Sequence, residues 1–442
     1  MPFSTTVLNI AIPVIGTELN ATPSSLSWVL TSYIIVTLVF AVPFGKLADN
    51  FGKRKLLIIG ILVFSVLHFL AGLLPQTLPQ LIFLRAGQGL GTSFMFATNL
   101  AILADTFPPS KRGNILGIAN TFTFMGLSAG PVLGGFITHY LGWRMIFHVG
   151  GAISLMGFIL ALRLKDPESG KAREPKEKHS YFGSTMLFMA SVFCFFYGFM
   201  ILTQNVLSYI LFAGGIALFS LFIRRESKVS TPILEVRLFR GNPNFLLANL
   251  ASTFIAGASY VMIYMLTIYM QLARGYSTDF TGLVLIIQPV VQAVISPFAG
   301  RLSDKVSPFK VSAYGMAACV ASLACFSFLS MSSPLPYIIL CLVLAGIGIG
   351  TFSSPNNNAV LSCIQAQDYG IASSILNTMR NAGHITSMAI ITIILNFRFG
   401  AIPIAEASKE GLVSCTTTNF LIFTFVCVVG IFFSLGKKQN DA

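Results

Sequence analysis

Charge is what this sequence has least of. Of its 442 residues only 10% are Asp, Glu, Lys or Arg, while 55% are hydrophobic and the mean hydropathy is +0.79. A soluble domain carries about 25% charged residues. The polar surface needed to wet a globule of this size is missing, which excludes an ordinary soluble fold and leaves a polytopic membrane protein. Acids are the scarcer sign, 15 against 28 Lys and Arg. The net charge of +13 could suggest nucleic acid, but the cations fall in short loops between apolar runs, a pattern that topology explains and a nucleic-acid partner does not. The seven cysteines (Cys194, Cys319, Cys325, Cys341, Cys363, Cys415, Cys427) show no CxxC and no Cys/His metal spacing, so they read as small packing residues. No nucleophile–base constellation and no phosphate-cradling glycine loop follows a strand pattern. The glycines at Gly87, Gly89 and Gly91 lie inside an apolar run. Neither an enzyme nor a cofactor is expected, and without an ATP-binding cassette the energy for active work must come from gradients.

A basic region before the first apolar run is also missing, so no cleavable signal peptide is expected. That first run, 1–17, is short of the about 20 residues a span needs. The expectation is a start lying further upstream or a first helix short of one turn. Apolar runs of span length place fourteen helices near 1–17, 27–48, 56–74, 79–103, 114–138, 143–163, 183–203, 206–223, 244–272, 279–300, 310–331, 335–356, 370–396 and 418–436. With this numbering, 22 of the 28 cations lie in the even-to-odd connections and the C-terminal tail, and four (Arg144, Arg274, Arg398, Lys409) on the opposite side. Arg85 and Arg380 fall inside spans. The positive-inside rule then puts both termini in the cytoplasm.

The chain also repeats itself. Gly45-Lys-Leu-Ala-Asp49-Asn-Phe-Gly52-Lys53-Arg54-Lys55 reads as a charged turn, and Gly300-Arg-Leu-Ser-Asp304-Lys-Val-Ser-Pro-Phe-Lys310 echoes it 255 residues later. Gly89 and Asn99 fall on Gly348 and Asn358 at an offset of 259, and Asn120 and Gly126 fall on Asn377 and Gly383 at 257. Three nearly equal offsets predict duplicated six-helix halves, 1–163 and 244–442. Between them lie a cytoplasmic linker at 164–182, an inserted helix pair at 183–223 and a second linker at 224–243. The first linker is rich in Lys and Glu. It reads as solvated chain, with lipid headgroup contact as the alternative.

Three motifs carry a resemblance over nearly the whole chain. Gly45–Lys55 resembles the signature loop between spans two and three of major facilitator superfamily transporters. Leu81–Gly91 resembles their fourth-span motif. Gly126-Leu-Ser-Ala-Gly130-Pro131-Val-Leu-Gly134-Gly135 resembles the fifth-span motif of exporters. Together they identify the chain as a member of the fourteen-span drug:proton antiporter group. The resemblance implies an all-α major facilitator fold and a plasma-membrane protein acting as a monomer on a small-molecule substrate, with protons as the coupling ion.

It also implies roles. Gly45, Asp49, Gly52, Arg54, Gly300 and Asp304 would form gating latches, the alternative being topogenic loops that merely stay wet. Arg85, with Gln88, would serve substrate or coupling; a cation within a span costs at least about 2.5–3.5 kcal/mol, so it needs a reason to be there. Its alternative is a structural hydrogen bond to backbone carbonyls, and the repeat carries Leu344 at its place. Gly126, Gly130, Pro131, Gly134 and Gly135 would seal the cavity at a bend, or simply pack helices closely. Asn377, Arg380, Asn381 and His384 share one helical face at i, i+3, i+4 and i+7, which should line the cavity or bind a partner helix. Asn120 and Asn356–Asn358 extend the polar set. His68 and His148 read as structural hydrogen-bonding residues.

One departure matters. Thr6-Val-Leu-Asn9-Ile-Ala11-Ile-Pro13 matches the first-span pattern of proton-coupled members, but Ser4 stands where they carry an acid. Arg85 and Arg380 cannot release a proton, so Glu18, Asp105, Asp279 and His384 remain as coupling candidates. Two intramembrane arginines without a carboxylate favour an anionic or neutral amphipathic substrate. The expected function is export of a small amphipathic compound by alternating access. Uptake or facilitated diffusion of a metabolite, and a non-transporting sensor or scaffold, are the competing readings.

Overall fold

The computed structural model describes residues 2–106, 109–164, 178–203, 205–229, 236–239, 241–365 and 369–437; among these there is no strand. The helices are α1 (Pro2–Glu18), α2 (Pro23–Phe51), α3 (Lys53–Leu73), α4 (Leu78–Thr106), α5 (Pro109–Leu141), α6 (Arg144–Leu162), α7 (Lys178–Met200) and α8 (Val206–Glu226). Then come α9 (Pro243–Ile268), α10 (Thr278–Leu285), α11 (Ile287–Lys305), α12 (Pro308–Phe326), α13 (Leu335–Ser362), α14 (Tyr369–Phe399) and α15 (Lys409–Leu435). Because α10 and α11 follow each other across Ile286, the described residues make fourteen rods.

Local chemistry sets several of these boundaries. The Thr22 hydroxyl accepts from the Ser25 amide at 3.2 Å and Pro23 takes the first helical position of α2, a cap that contributes about 1 kcal/mol. Asn242 and Pro243 repeat the device at α9, where the Asn242 side-chain oxygen accepts from the Phe245 amide at 3.1 Å. What stops α2 is Gly52, at φ +96°, a conformation that a side chain resists.

That stop corrects the reading of Gly45–Lys55 as a turn. Helix α2 continues through Phe51 and α3 resumes at Lys53, so the turn is Gly52 alone. Gly300–Lys305 likewise belong to α11, Lys111 and Arg112 lie within α5, and α15 begins at Lys409, nine residues before the apolar run at 418. The physical reason is common to all. A 29-residue helix is about 43 Å long, well over the about 30 Å of hydrocarbon, and a charged sequence leaving the apolar layer still satisfies its backbone best inside the helix.

Helix α1 packs on α5, α2 on α4, and α3 on α4 and α6; α9 packs on α14 and α15, α12 on α13 and α15, and α11 on α13. Helices α2 and α14, and α5 and α10, join the two sets. Helices α7 and α8 form a hairpin whose α7 touches both α2 and α14. There the rings of Trp28 and Tyr197 lie 5.4 Å apart, and Asn396 donates to the Thr203 hydroxyl at 2.7 Å. Eleven of the rods, all but α1, α4 and α5, are long and apolar enough to cross a membrane among the described residues. Large hydrophobics including Phe83, Phe298, Phe328, Phe397 and Phe432 are exposed on the outside, as lipid contact requires. The protein is a multi-pass membrane protein.

Its ends differ. At one, called distal here, Arg144 donates to Glu18 at 2.5 Å and to the Pro75 carbonyl at 3.2 Å, Trp143 donates to Glu18 at 2.8 Å, and the Ile404 amide donates to the Ala21 carbonyl at 2.9 Å. At the other, proximal end, Arg54 donates to the Leu162 carbonyl at 2.9 Å, Asn242 to the Cys363 carbonyl, and Asn244 to the Lys437 carbonyl at 3.2 Å.

Where α5 and α10 cross, a Cβ on Gly282 would lie 2.2 Å from the Pro131 carbonyl oxygen, whereas one on Gly157 in α6 meets nothing within 4 Å. Gly282→Val should therefore lower the melting temperature in detergent, by overpacking worth about 1–3 kcal/mol. Gly157→Ala should leave it unchanged or slightly raised. A thermal shift series on the two variants checks this.

Candidate transport site

Arg85 sits two turns into α4 with 0% of its surface exposed. Its Nε donates to the Val29 carbonyl at 3.1 Å and one terminal nitrogen to Gln88 Oε1 at 2.6 Å. The guanidinium carbon stands 4.4 Å from the centre of the Tyr33 ring, an arrangement in which the aromatic face stabilises the cation. Gln88 is fixed in turn, donating to the Leu67 carbonyl at 3.1 Å. The second terminal nitrogen, Nη2, is buried and makes no hydrogen bond. Thus α2, α3 and α4 converge on one cation, and both N–H groups of its Nη2 are left unused. Arg85 makes the structural bond to a backbone carbonyl and also keeps a free donor nitrogen.

The polar face of α14 is partly spoken for. Arg380 donates from Nε to Ser252 of α9 at 3.1 Å and from Nη2 to Asn357 of α13 at 2.6 Å. His384 stacks on Tyr260 of α9 with ring centres 5.0 Å apart and planes at 27°. Asn377, Asn381 and His384 are all half-buried. The three consecutive asparagines diverge: Asn356 is buried, Asn357 holds Arg380, and Asn358 donates to Ser303 of α11 at 2.8 Å. Tyr33, Tyr260 and Ser252 escaped sequence reasoning. In an apolar run each looks like core, and no spacing singles them out.

The fifth-span glycines let backbones meet. A Cβ on Gly130 would fall 1.9 Å from the Thr6 hydroxyl of α1, one on Gly134 2.8 Å from the Val7 carbonyl, and one on Gly135 2.5 Å from the Thr278 carbonyl. Pro131 takes the close approach of Gly282 on α10, and Gly126 is half-buried one helical turn earlier. The motif thus serves two neighbours at once, α1 and α10, with no side chain between.

The proximal residues are looser. A Cβ on Gly45 or Gly52 would meet nothing within 4 Å, so neither glycine is needed here for close packing. On Gly300 a Cβ would meet only the Ser354 hydroxyl, at 2.7 Å. Asp304 is exposed. The side chains of Asp49, Asp105 and Asn120 lie outside the described residues. Among the other acids, Glu18 is engaged by Arg144 and Trp143, and Asp279 lies 3.5 Å from His139.

Where the acid is missing, the Ser4 hydroxyl is 2.8 Å from His68 Nε2, and His68 Nδ1 is 2.9 Å from the Phe64 carbonyl. A carbonyl can only accept, so Nδ1 carries a hydrogen, and in the neutral imidazole Nε2 then accepts from Ser4. The pair is buried. Glycines frame both expected structural histidines, Gly150 beside His68 and Gly72 beside His148. Among the described residues no group of three or more His, Cys, Asp or Glu could hold a metal ion.

The fourth helix thus carries a buried, hydrogen-bonded arginine, and the fifth a glycine–proline crossing. The description that fits them also matches in sequence: the profile of the Major Facilitator Superfamily covers residues 1–388. The chain belongs to the major facilitator superfamily. It is similar to the riboflavin transporter RibZ of Clostridioides difficile, 28% identical over 425 residues that span 96% of this chain and 92% of the relative. The tetracenomycin C resistance and export protein of Streptomyces glaucescens is 25% identical over 405 residues, 89% of this chain and 73% of that one. The multidrug resistance protein Stp of Mycobacterium tuberculosis is 26% identical over 395 residues, with coverage of 88% and 72%. Among solved structures, a bacterial homologue of the lysosomal transporter Spinster, inward-facing and unoccupied, superposes with a TM-score of 0.66 at 16% identity, covering 98% of this chain and 93% of that one. The family's members are transporters without enzymatic activity, and this chain is a facilitator-fold membrane transporter.

A lysine at position 85 keeps the charge but has no planar fork. Arg85→Lys should abandon Val29 or Gln88, leaving a buried acceptor unpaired at about 1–3 kcal/mol. Transport should fall tenfold or more while membrane insertion and the size-exclusion profile stay normal. Substrate flux normalised to inserted protein is the measurement.

Proposed function

We propose that the chain is a secondary active transporter exporting a small, amphipathic compound by alternating access. The observation that carries this is Arg85, a fully buried cation with an unpaired Nη2, stacked on Tyr33. The N–H groups of Nη2 left open in an apolar layer are a cost that ligand binding can offset. The resistance and export proteins among the relatives support the direction of transport, as does the five-residue glycine–proline set from Gly126 to Gly135.

In this reading all fourteen rods span, as six-helix halves at 1–163 and 244–442 with the 183–223 pair inserted. Both termini and the proximal end lie in the cytoplasm of a plasma-membrane protein that acts as a monomer. The cross-links between the sets support a state closed distally. Gln271 donates to the Ile10 carbonyl at 2.9 Å and Thr278 to the Gly135 carbonyl at 3.2 Å. The latch residues Asp49 and Asp304 then act in the other state, when Gly45 and Gly300 come close to their neighbours.

A second reading is uptake or facilitated diffusion of an anionic or neutral metabolite. The Ser4–His68 pair favours it, because no carboxylate stands at the usual first-span position to carry a proton. The riboflavin transporter among the relatives is consistent with such a substrate.

Vesicles with an imposed pH gradient separate the two. Export predicts substrate accumulation in inverted vesicles acidified inside, collapsing with the gradient; flux indifferent to the gradient would sink proton antiport. A growth-inhibition panel in a pump-deficient host should show protection by the parent chain and none by Arg85→Ala. Protection by both proteins would remove Arg85 from the site. Reporter fusions at either terminus should be active only on the cytoplasmic side.

A further inference from the structure

The distal seam between α5 and α10 holds a feature that transport chemistry at Arg85 does not use. His139 lies in the last turn of α5 and Asp279 in the first turn of α10. Their Nδ1 and Oδ1 atoms are 3.5 Å apart, and the side chains are 42% and 22% exposed. Ser277 and the Phe280 amide also bond the Asp279 carboxylate, while Oδ1 takes no hydrogen bond from any described residue and has His139 as its nearest charged neighbour. Each charge stands at the helix end that favours it, a cation at a C-terminus and an anion at an N-terminus. A cleft of about 370 Å³ lined by Thr17, Thr138, His139, Gln271 and Tyr276 opens onto the histidine.

Beneath the pair the two helices touch backbone to backbone, at Gly135 against Thr278 and Gly282 against Pro131. Such a contact has no side chain that could stretch to follow a partial opening, so the seam is either made or parted. The other titratable and charged groups in this corner are accounted for. Tyr140 stands edge-on to His139 with ring centres 4.7 Å apart. From the α9 side, Arg274 donates to the Tyr276 hydroxyl at 3.3 Å and to the Ser333 carbonyl at 2.6 Å. From α1, Glu18 is held by Arg144 and Trp143. Of these residue types, histidine is the one that changes charge between about pH 5 and 8.

We propose that His139 and Asp279 form a proton-operated clasp on the distal mouth: a proton taken from the distal compartment by His139 holds the mouth closed, and its loss lets the mouth open. The sign follows from linkage. Imidazolium and carboxylate attract at 3.5 Å only when the seam is made, so the closed state binds the proton more tightly and acid shifts the population towards it. One proton comes from bulk solvent and returns there, with no other exchange. The clasp is distinct from the coupling proton. It sits at the mouth, and it gates whatever cargo the central site carries. It rests on the alternating-access reading, but its test needs no substrate.

The test uses the full chain in lipid nanodiscs, with the seven native cysteines replaced and spin labels on Leu141→Cys and Leu283→Cys, both exposed on the two helices. Between pH 8 and pH 5 the closed-to-open ratio should rise about two- to fivefold, the range for a partly exposed ion pair. His139→Gln and Asp279→Asn should each flatten that response, and His139→Lys should keep the mouth closed across the range. A pH response surviving in both neutralised variants, or absent from the parent, overturns the clasp. A chain that exports nothing in any assay yet shows the response would remove the export reading and leave the clasp standing.

Discussion

Lipid gives apolar helices no reason to prefer one another over acyl chains, so what holds this bundle together must be contact geometry and buried polar bonds. Both are visible. Glycines bring α1, α5 and α10 into backbone contact. Side chains of buried and half-buried polar residues reach carbonyls on neighbouring helices, as Ser65 does to Gly151 at 2.9 Å, Gln271 to Ile10 and Ser322 to Cys341 at 2.8 Å. Removing such a donor is not repaired by water, because none is at hand. That is why Arg85 is tied to three helices.

The same constraint explains what the sequence displayed and what it hid. Fourteen apolar runs were countable because a span has a required length, and the positions of Arg85, Arg380 and the α5 glycines stood out as exceptions to apolarity. Boundaries were less readable. The helical backbone outlasts the apolar layer, so Gly45–Phe51 and Lys409–Thr417 are helical although their composition reads as loop. Partners were not readable at all. Nothing in the sequence links Tyr33 to Arg85, Ser252 to Arg380 or Tyr260 to His384, since each contact depends on how rods rotate against each other. The spacing of the α14 stripe puts it on one helical face, but it does not tell that Arg380 spends two donors on neighbouring helices.

The Ser4–His68 pair shows how a family position can change chemistry without changing the fold. A hydroxyl of similar reach fills the place of a carboxylate, and an imidazole with its hydrogen pinned on Phe64 completes the bond. The result is a neutral joint between α1 and α3. Charge leaves that corner of the bundle, and Arg85 is left without a nearby counter-ion among the described residues.

Asn357 and Asn358 are adjacent on α13, one gripping Arg380 and the other Ser303 beside Asp304. Neighbouring residues on a helix point about 100° apart, so a single turn reads two helices at once. A rotation of this turn that moves Asn357 relative to α14 therefore also moves Asn358 relative to α11, so the two neighbours cannot be repositioned independently.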